Sequence, residues 1–320
     1  MVKTHPDISI ILCNYNGEPF LEECLDSIFA QTFDDFELIC VNDGSTDHSI
    51  DILLHYFNKY RNKIKLIDQS NVGLATSRNI ALDKAEGNFI IFVDSDDKIN
   101  ENTCKIISET MHKNNLDMLS YSGYNFQESD NKFAENKYWS FNYLPKKFDC
   151  VAFTLDECQN FVHKMAVSSC LTAYRLSFIR DCKLKFPDGL FFEDNLFFHK
   201  GILNSRRSGI IKDKLYYRRI HPESITQNFS LHFSSYMKII DLLMQEISKA
   251  NVPIFVFRNY NKFYINALVN RYKNIERCER IEYKSQLLKI LMKWGGEYKR
   301  NKSGLLANVY KIYLCAKILV

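Results

Sequence analysis

The sequence predicts an α/β fold, in which a mostly parallel sheet is flanked by helices and followed by a helical C-terminal extension. Strand and helix patterns alternate through roughly the first hundred residues, which is the order expected of a parallel sheet. Polar clusters directly follow three of the strands. Beyond about residue 230, apolar residues recur at helical spacing. A sheet of this kind binds ligands beyond the carboxyl ends of its strands.

The first two strands and helices follow from their apolar patterns. Residues 8–12 form a compact run typical of a buried strand, and residues 20–29 carry apolar side chains at helical spacing. Residues 36–41 repeat the strand pattern. Residues 43–47 combine turn and helix-capping residue types, and residues 50–60 form the next helix.

The next elements include the most apolar strand of the sequence. A weaker strand is predicted at residues 64–68, and a helix at residues 73–85. Residues 89–93 are all apolar and predict a strand buried on both faces. The pattern then loosens into shorter strands, which we expect at residues 118–124 and 171–174.

The last third of the chain predicts helices and a soft domain boundary near residue 230. We expect one domain over residues 1–230, with halves of about 1–115 and 116–230, and a helical region over residues 231–320. One further helix should open within residues 192–198. The C-terminal helical segments are expected at residues 231–249, 254–275, 282–294 and 305–318.

Composition excludes several classes of protein. A chain of 320 residues with 46% hydrophobic residues and 14% aromatics can fill a core, which argues against disorder. Its ten cysteines include no CxxC pair and no cluster at zinc spacing, so we expect free thiols in a reducing cytosol. No stretch approaches the roughly 20 apolar residues of a membrane span. We therefore expect a cytoplasmic protein.

The net charge of +4 is small but unevenly distributed. From about residue 258 onward, Lys and Arg are interleaved with aromatic and aliphatic residues. Three interpretations are a solvated helical face, a surface for anionic lipid headgroups, and a nucleic-acid patch. We expect no nucleic-acid partner. Peripheral contact with the inner face of the cell membrane is the alternative to a solvated face.

An acidic run follows the apolar strand at residues 89–93. Asp94, Asp96 and Asp97 would repel one another at a sheet edge unless a cation offsets their charge. Carboxylate oxygens suit Mg²⁺ or Mn²⁺, which bind through one or two carboxylates and substrate phosphates. The alternative is an acidic turn that caps the helix starting near Glu101.

Four linked motifs lie at residues 9–16, 41–47, 71–79 and 92–97. In sequence and in order, they resemble the motifs of the family 2 glycosyltransferases of the GT-A fold. Two departures are Cys13, where Thr or Pro is common, and Asn42, which replaces an acidic residue. The resemblance implies a nucleotide-sugar site, and the family's roles transfer to residues of this chain.

The resemblance assigns a role to each residue of the nucleotide end. Cys13 and Tyr15 would line the uracil pocket, and Asp43 would accept a hydrogen bond from the base. Arg78 would approach the pyrophosphate. In the acidic run, Asp94 and Asp96 would bind the donor, Asp96 on its ribose or metal side, and Asp97 would ligate the metal. Aromatic stacking on a base and a guanidinium beside phosphate fit these roles.

Glu193 and Asp194 lie among four phenylalanines, which a solvated face explains poorly. An apolar wall would raise a carboxyl pKa toward that of a general base. The pair resembles the family's Glu-Asp motif, which implies that Asp194 is the catalytic base and Glu193 orients it or the acceptor. The alternative is a helix N-terminus that carries acids to complement its dipole.

His221 lies in a stretch similar to the end of this family's catalytic domain. The resemblance implies that His221 completes the metal or diphosphate site, and that Arg218 or Arg219 offsets phosphate charge. A lone histidine with a structural role is the alternative.

These observations predict an inverting glycosyltransferase that moves a sugar from a UDP-sugar to an acceptor hydroxyl with Mn²⁺ or Mg²⁺. The acceptor would be a saccharide or lipid-linked saccharide of a growing bacterial surface glycan: lipooligosaccharide, capsule or O-antigen. One alternative is a sugar-nucleotide pyrophosphorylase, which would want a glycine-rich loop where only Gly17 occurs. Another is a non-catalytic nucleotide-binding module. The sequence leaves the oligomeric state open.

Overall fold

The computed structural model describes residues 5–127, 132–135, 139–221 and 232–297. The chain divides into two compact units. The larger comprises Met1–Cys158, Met165–Gly189 and Glu193–Pro222, and the smaller comprises Gln159–Lys164, Leu190–Phe192 and Glu223–Val320. The domain boundary predicted near residue 230 lies outside the described residues.

The larger unit begins with a regular alternation of strands and helices. These elements are β1 (Ile8–Asn14), α1 (Glu18–Phe29), β2 (Phe36–Asp43), α2 (Ser49–Lys59), β3 (Ile64–Gln69), α3 (Leu74–Lys84) and β4 (Phe89–Asp94). The strands lie in the order β3-β2-β1-β4, and every neighbouring pair is parallel. All eight residues of β2 are buried, since helices cover both faces of such a sheet.

The rest of the sheet is mixed. Its elements are β5 (Lys98–Ile99), α4 (Thr103–Asn114), β6 (Met118–Gln127), β7 (Lys132–Glu135), α5 (Leu155–Cys158), β8 (Thr172–Arg175), α6 (Leu176–Asp181), α7 (Glu193–Asn204) and β9 (Ser208–Arg219). Strand β8 runs antiparallel to both β4 and β6. Strand β9 is parallel to β6 and antiparallel to β5. The described strands thus form one sheet of nine.

The predicted α/β class is confirmed, with the parallel pairing concentrated in the first half. Strand β9 was not among the predicted strands. It has three consecutive charged residues, at positions 212–214, near its centre, so it lacks an apolar strand pattern there. Its pairing with β6 places it in the sheet. Helix α7 begins at Glu193. The preceding residue, Phe192, has a left-handed φ of +64°, so it cannot belong to the helix.

The smaller unit is largely helical, as expected. Its long helices are α8 (Phe233–Lys249), α9 (Ile254–Asn274) and α10 (Arg277–Glu297). Phe233 of α8 packs against Tyr272 of α9 and Tyr283 of α10, with ring centroids 6.2 Å and 5.4 Å apart. The helix predicted at residues 305–318 lies outside the described residues. Within the described part of the chain, no helix is long and apolar enough to cross a membrane.

Candidate active site

The polar clusters after β1, β2 and β4 meet at one edge of the sheet. Cys13 of β1 lies in register with Asp94 of β4, so these loops leave the sheet side by side. The Asn14 side-chain amide and the Asn16 backbone N–H both donate to the Ser45 hydroxyl, at 3.1 Å and 3.0 Å. The convergence of these loops, expected from the strand order, is therefore present.

Tyr15 and Cys13, the residues predicted to line a base pocket, have different environments. The Tyr15 side chain is 54% exposed, which leaves its ring available for stacking. Cys13 is half-buried, and burial raises the pKa of its thiol to about 12. The thiol is therefore neutral near pH 7 and contributes as a small apolar group.

Asp43 is buried and shapes the loop that precedes α3. Its Oδ1 accepts hydrogen bonds from the Val72 N–H and the Gln69 amide, both at 2.9 Å. Its Oδ2 accepts one from the Gly73 N–H, also at 2.9 Å. Gly73 has a φ of +88°, which glycine adopts without strain. Because a carboxylate has about four acceptor positions, three protein donors leave one for a ligand N–H.

The three carboxylates of the acidic run have separate partners. Asp97 is buried, and its two oxygens accept hydrogen bonds from the Tyr216 hydroxyl and the Arg219 backbone N–H, each at 2.7 Å. Burial and the charges of Asp96 and Asp94 raise the pKa of Asp97 well above its ordinary value. This carboxylate is therefore directed into the protein.

Asp96, in the acidic run, is in contact with His221. The Asp96 Oδ2 lies 2.8 Å from the His221 Nε2, with the side chains 34% and 15% exposed. The two residues are 125 positions apart, and their contact brings the end of the larger unit to the acidic loop. Among the described residues, no group of three or more His, Cys, Asp or Glu side chains is arranged to hold a metal.

Three further residues, Arg219, Glu23 and Phe20, support this pair. The Arg219 Nε donates to the Asp96 backbone carbonyl at 2.9 Å, and its guanidinium also pairs with Glu23 of α1. The Phe20 ring lies 5.0 Å from the His221 ring. Arg219, which the sequence suggested as a phosphate partner, is 2% exposed and holds the acidic loop instead. Neither Glu23 nor Phe20 had a sequence signal, because their partners are nearly 200 residues away.

Arg78 links the acidic run to the second half of the larger unit. Its guanidinium donates to Asp94 Oδ1 at 2.6 Å and to Glu193 Oε1 at 2.5 Å. The rings of Phe92 and Phe186 lie 5.9 Å and 5.4 Å from its central carbon. The two carboxylates raise the pKa of Arg78 further, although burial opposes this. Arg78 is therefore a buried, permanently charged bridge.

Glu193 and Asp194 occupy the first turn of α7, where the helix dipole favours negative charge. Burial, followed by the charge of Glu193, raises the pKa of Asp194 to about 7. Arg78 opposes that rise, and the Asn195 side-chain amide donates to Asp194 Oδ1 at 3.0 Å. A carboxylate with this pKa can accept a proton near pH 7 and release it again.

Through Arg78, the structure links four of the predicted residues into one cluster. Asp94, Arg78 and Glu193 are in direct contact, and Asp194 follows Glu193 in the chain. Cys13 is in register with Asp94. The pair of Asp96 and His221 belongs to the same acidic loop, whereas Asp43 and Tyr15 lie at the neighbouring strand ends. Tyr216, which the sequence analysis did not predict, donates to Asp97 and also accepts the Asp94 N–H at 3.2 Å.

Comparison with known proteins identifies the family. The model of the family described as "Glycosyl transferase family 2" matches residues 9–170, just over half of the chain. EpsH of Bacillus subtilis (strain 168) is 32% identical over 70% of this chain and 64% of its own length. Glycosyltransferase GlyG of Streptococcus pneumoniae serotype 4 is 26% identical over 92% of this chain and 99% of its own length.

A third relative has a solved structure. Poly(ribitol-phosphate) beta-N-acetylglucosaminyltransferase TarS of Staphylococcus aureus is 31% identical over 65% of this chain and 35% of TarS. The crystal structure of TarS 1-349 in complex with UDP-GlcNAc has a TM-score of 0.66 and 26% identity, and the match covers 90% of this chain and 80% of that one. This likeness confirms the predicted GT-A fold class. The chain thus spans less than two thirds of EpsH and about a third of TarS. On the match over residues 9–170, the chain belongs to glycosyl transferase family 2.

Proposed function

We propose that this chain is an inverting glycosyltransferase that moves a sugar from a UDP-sugar to a hydroxyl of a bacterial cell-surface polymer. The observation that carries the proposal is Asp194, a carboxylate whose pKa burial raises to about 7. It follows Glu193, which Arg78 ties to the acidic run at the sheet edge. A base and a donor end thus occur in one cluster. We also propose that residues 1–230 form the catalytic domain and residues 231–320 a separate helical region.

The nucleotide end fits a uridine diphosphate donor. The exposed Tyr15 ring can stack on a base, and the remaining acceptor position of Asp43 can read a base N–H. The TarS structure, which has 26% identity to this chain, contains UDP-GlcNAc. The same family and fold make a UDP-sugar the donor class we propose, with UDP-GlcNAc as the first candidate.

Asp96 and His221 fit a divalent metal better than Asp97 does. A carboxylate oxygen and an imidazole nitrogen, 2.8 Å apart and both partly exposed, are suitable donors for Mn²⁺. Asp97, which the resemblance favoured as the ligand, has both oxygens bonded to protein donors in a buried position. We therefore propose Asp96 and His221 as the holding residues, with substrate phosphates supplying further oxygens. Such a metal, when bound, stabilises the negative charge of the departing diphosphate.

The reaction is a single displacement in which this chain supplies the base. Asp194 removes the proton of the acceptor hydroxyl, whose oxygen forms a bond to the anomeric carbon. The bond from that carbon to the diphosphate oxygen breaks, and UDP leaves with the bonding electrons. Glu193, held by Arg78, orients Asp194 or the acceptor. Attack from the side opposite the diphosphate inverts the anomeric centre.

We propose a polymer of the teichoic acid or exopolysaccharide kind as the acceptor. TarS, one relative with a solved structure, is by its name a poly(ribitol-phosphate) beta-N-acetylglucosaminyltransferase. The lipooligosaccharide, capsule and O-antigen acceptors suggested by the sequence are further members of the same class of surface glycans.

We further propose that α9 contacts anionic membrane lipids. The helix contains four basic residues and no Asp or Glu. Its large apolar side chains Ile254, Phe255 and Phe263 are 43%, 39% and 38% exposed. Cations beside exposed aromatic residues are typical of helices that lie on anionic bilayers. In a flotation assay with phosphatidylglycerol vesicles, the wild type should float with the vesicles and the double variant Phe263→Ser/Lys262→Glu should not. The control variant Lys249→Glu, on α8, should still float with them. Equal binding to vesicles of phosphatidylcholine alone would contradict the proposal.

Release of UDP tests the enzymatic proposal. The full chain is incubated with Mn²⁺, each of several UDP-sugars, and poly(ribitol phosphate) or an exopolysaccharide acceptor. We expect acceptor-dependent UDP release with at least one donor, and its loss in Asp194→Asn. A chain that binds UDP with Mn²⁺ but transfers no sugar, with Asp194→Asn indistinguishable from it, would instead be a non-catalytic nucleotide-binding module. Formation of UDP-sugar from UTP and a sugar phosphate would indicate a pyrophosphorylase.

A further inference from the structure

Arg78 has the surroundings of a structural cation. Its side chain is 5% exposed, and each of its two terminal nitrogens donates a hydrogen bond to a carboxylate. The rings of Phe92 and Phe186 lie 5.9 Å and 5.4 Å from its central carbon. Phe186 in turn stacks on Phe197 of α7 at 4.1 Å. The guanidinium is thus buried among two carboxylates and two aromatic rings.

A diphosphate role would require Arg78 to present a donor to the solvent, but its side chain is 5% exposed and two carboxylates hold it. If the guanidinium turned toward a phosphate, it would leave Glu193, whose side chain is 9% exposed and would lose its cationic partner. A buried carboxylate without its partner is strongly disfavoured. Asp94 is different, since its side chain is 40% exposed and water can solvate it. The contact with Glu193 is therefore the one that fixes Arg78.

We propose that Arg78 is a positioning residue, which holds Glu193 and with it the first turn of α7 against the end of β4, and that it does not bind the diphosphate. The proposal rests on the proposed function, because it concerns how the base is placed. It joins residues 115 positions apart, one in each half of the predicted catalytic domain. The base at Asp194 is then set relative to the donor end through this bridge.

The charges fit this role. Arg78 carries one positive charge between Asp94 and Glu193, and Asp194 follows at the next position of α7. A cation placed there favours the ionised form of Glu193, because burial raises the pKa of this carboxyl and Arg78 opposes that rise. Glu193 then accepts from Arg78 in a fixed orientation. Displacing the bridge would move the base, and misplacement of a reacting group by about 1 Å can cost about a hundredfold in rate.

The test separates donor binding from turnover. UDP affinity in the presence of Mn²⁺ is measured by calorimetry, and kcat by UDP release, for Arg78→Met, Arg78→Lys and Glu193→Gln. We expect UDP affinity to stay within about threefold of wild type while kcat falls at least about tenfold, the pattern of a group that acts only in the transition state. Arg175→Lys is the matched control, because Arg175 also lies over a β4 phenylalanine, 5.1 Å from the Phe89 ring. It should change neither quantity.

A double-mutant cycle decides whether Arg78 acts through Glu193. If it does, Arg78→Met/Glu193→Gln loses no more kcat than the worse single variant. Additive losses, or a tenfold or greater loss of UDP affinity in Arg78→Met, would overturn the proposal. If Arg78→Met lacks a cooperative thermal transition, the cycle is run with Arg78→Lys, which keeps the positive charge but cannot contact both carboxylates with a planar guanidinium. Should the wild type transfer no sugar, the proposed function fails, but the calorimetric comparison still decides whether Arg78 binds diphosphate.

Discussion

Replacing Asp194 by Asn removes the proposed base without changing its size. Burial and Glu193 raise the pKa of Asp194 from 3.8 to about 7, so about half of the molecules carry the ionised base at pH 7. A positioned general base contributes about 10²–10⁴-fold. At 1.36 kcal/mol for each tenfold in rate, that is about 3–5 kcal/mol of transition-state stabilisation. We expect kcat to fall by this range in Asp194→Asn.

The same substitution should alter the pH dependence of stability. The pKa of Asp194 is higher in the folded than in the unfolded chain, so the folded state binds the proton more tightly. Folded stability therefore falls as pH rises from about 4 to about 7, by at most about 4 kcal/mol for this group. The uncharged Asn avoids that loss. The thermal stability of Asp194→Asn relative to wild type should therefore increase across this range.

Both effects are measured on the full chain. Initial rates of UDP release are recorded between pH 5 and pH 9, and thermal unfolding is followed by circular dichroism in the same buffers. For wild type, kcat/KM should rise with pH through a single ionisation near 7. Asp194→Asn should show only the low rate that remains without the base, and this rate should lack the ionisation near pH 7. A variant that keeps the wild-type rate at every pH would refute the assignment of Asp194 as the base.

Further substitutions test other parts of the molecule. Glu193→Gln removes a negative charge beside Asp194, so the ionisation in its kcat/KM profile should move to lower pH; a shift to higher pH would contradict the electrostatic account. Tyr15→Ala should weaken UDP binding by about 1–3 kcal/mol, the range for stacking of a base on an aromatic ring, as measured by calorimetry, whereas unchanged affinity would remove Tyr15 from the base pocket. His221→Ala should weaken Mn²⁺ binding by about tenfold or more, followed by Mn²⁺ electron paramagnetic resonance, and should leave metal-free UDP binding unaffected. Asp7→Asn should lower the free energy of unfolding by about 1–3 kcal/mol at pH 7. Burial opposes its ionisation, but hydrogen bonds involving Asn88, Ser108 and His112 lower its pKa, so this difference should disappear as pH falls below that pKa.

The sequence by itself determined the first half of the fold and the location of its polar loops. Strand β4 reads as five consecutive apolar residues because helices bury both faces of a parallel sheet. Its end was therefore visible in the sequence, and the acidic run could be placed at the sheet edge. The pair at Glu193 and Asp194 was also visible, since carboxylates among phenylalanines stand out. These features depend on neighbours within a few residues.

Tertiary structure alone decided what each carboxylate contacts. Asp94 meets Arg78, Asp96 meets His221, and Asp97 turns inward to Tyr216, although all three lie within four consecutive positions. No local pattern distinguishes them, because two of these partners arrive from β9 and its end, more than a hundred residues later. Likewise, the sequence identified Arg78 as a cation near the donor, but only the packing of α7 against β4 gave it Glu193 as a partner. Residue type is set by the sequence, whereas the direction of a side chain depends on which distant strands and helices lie beside it.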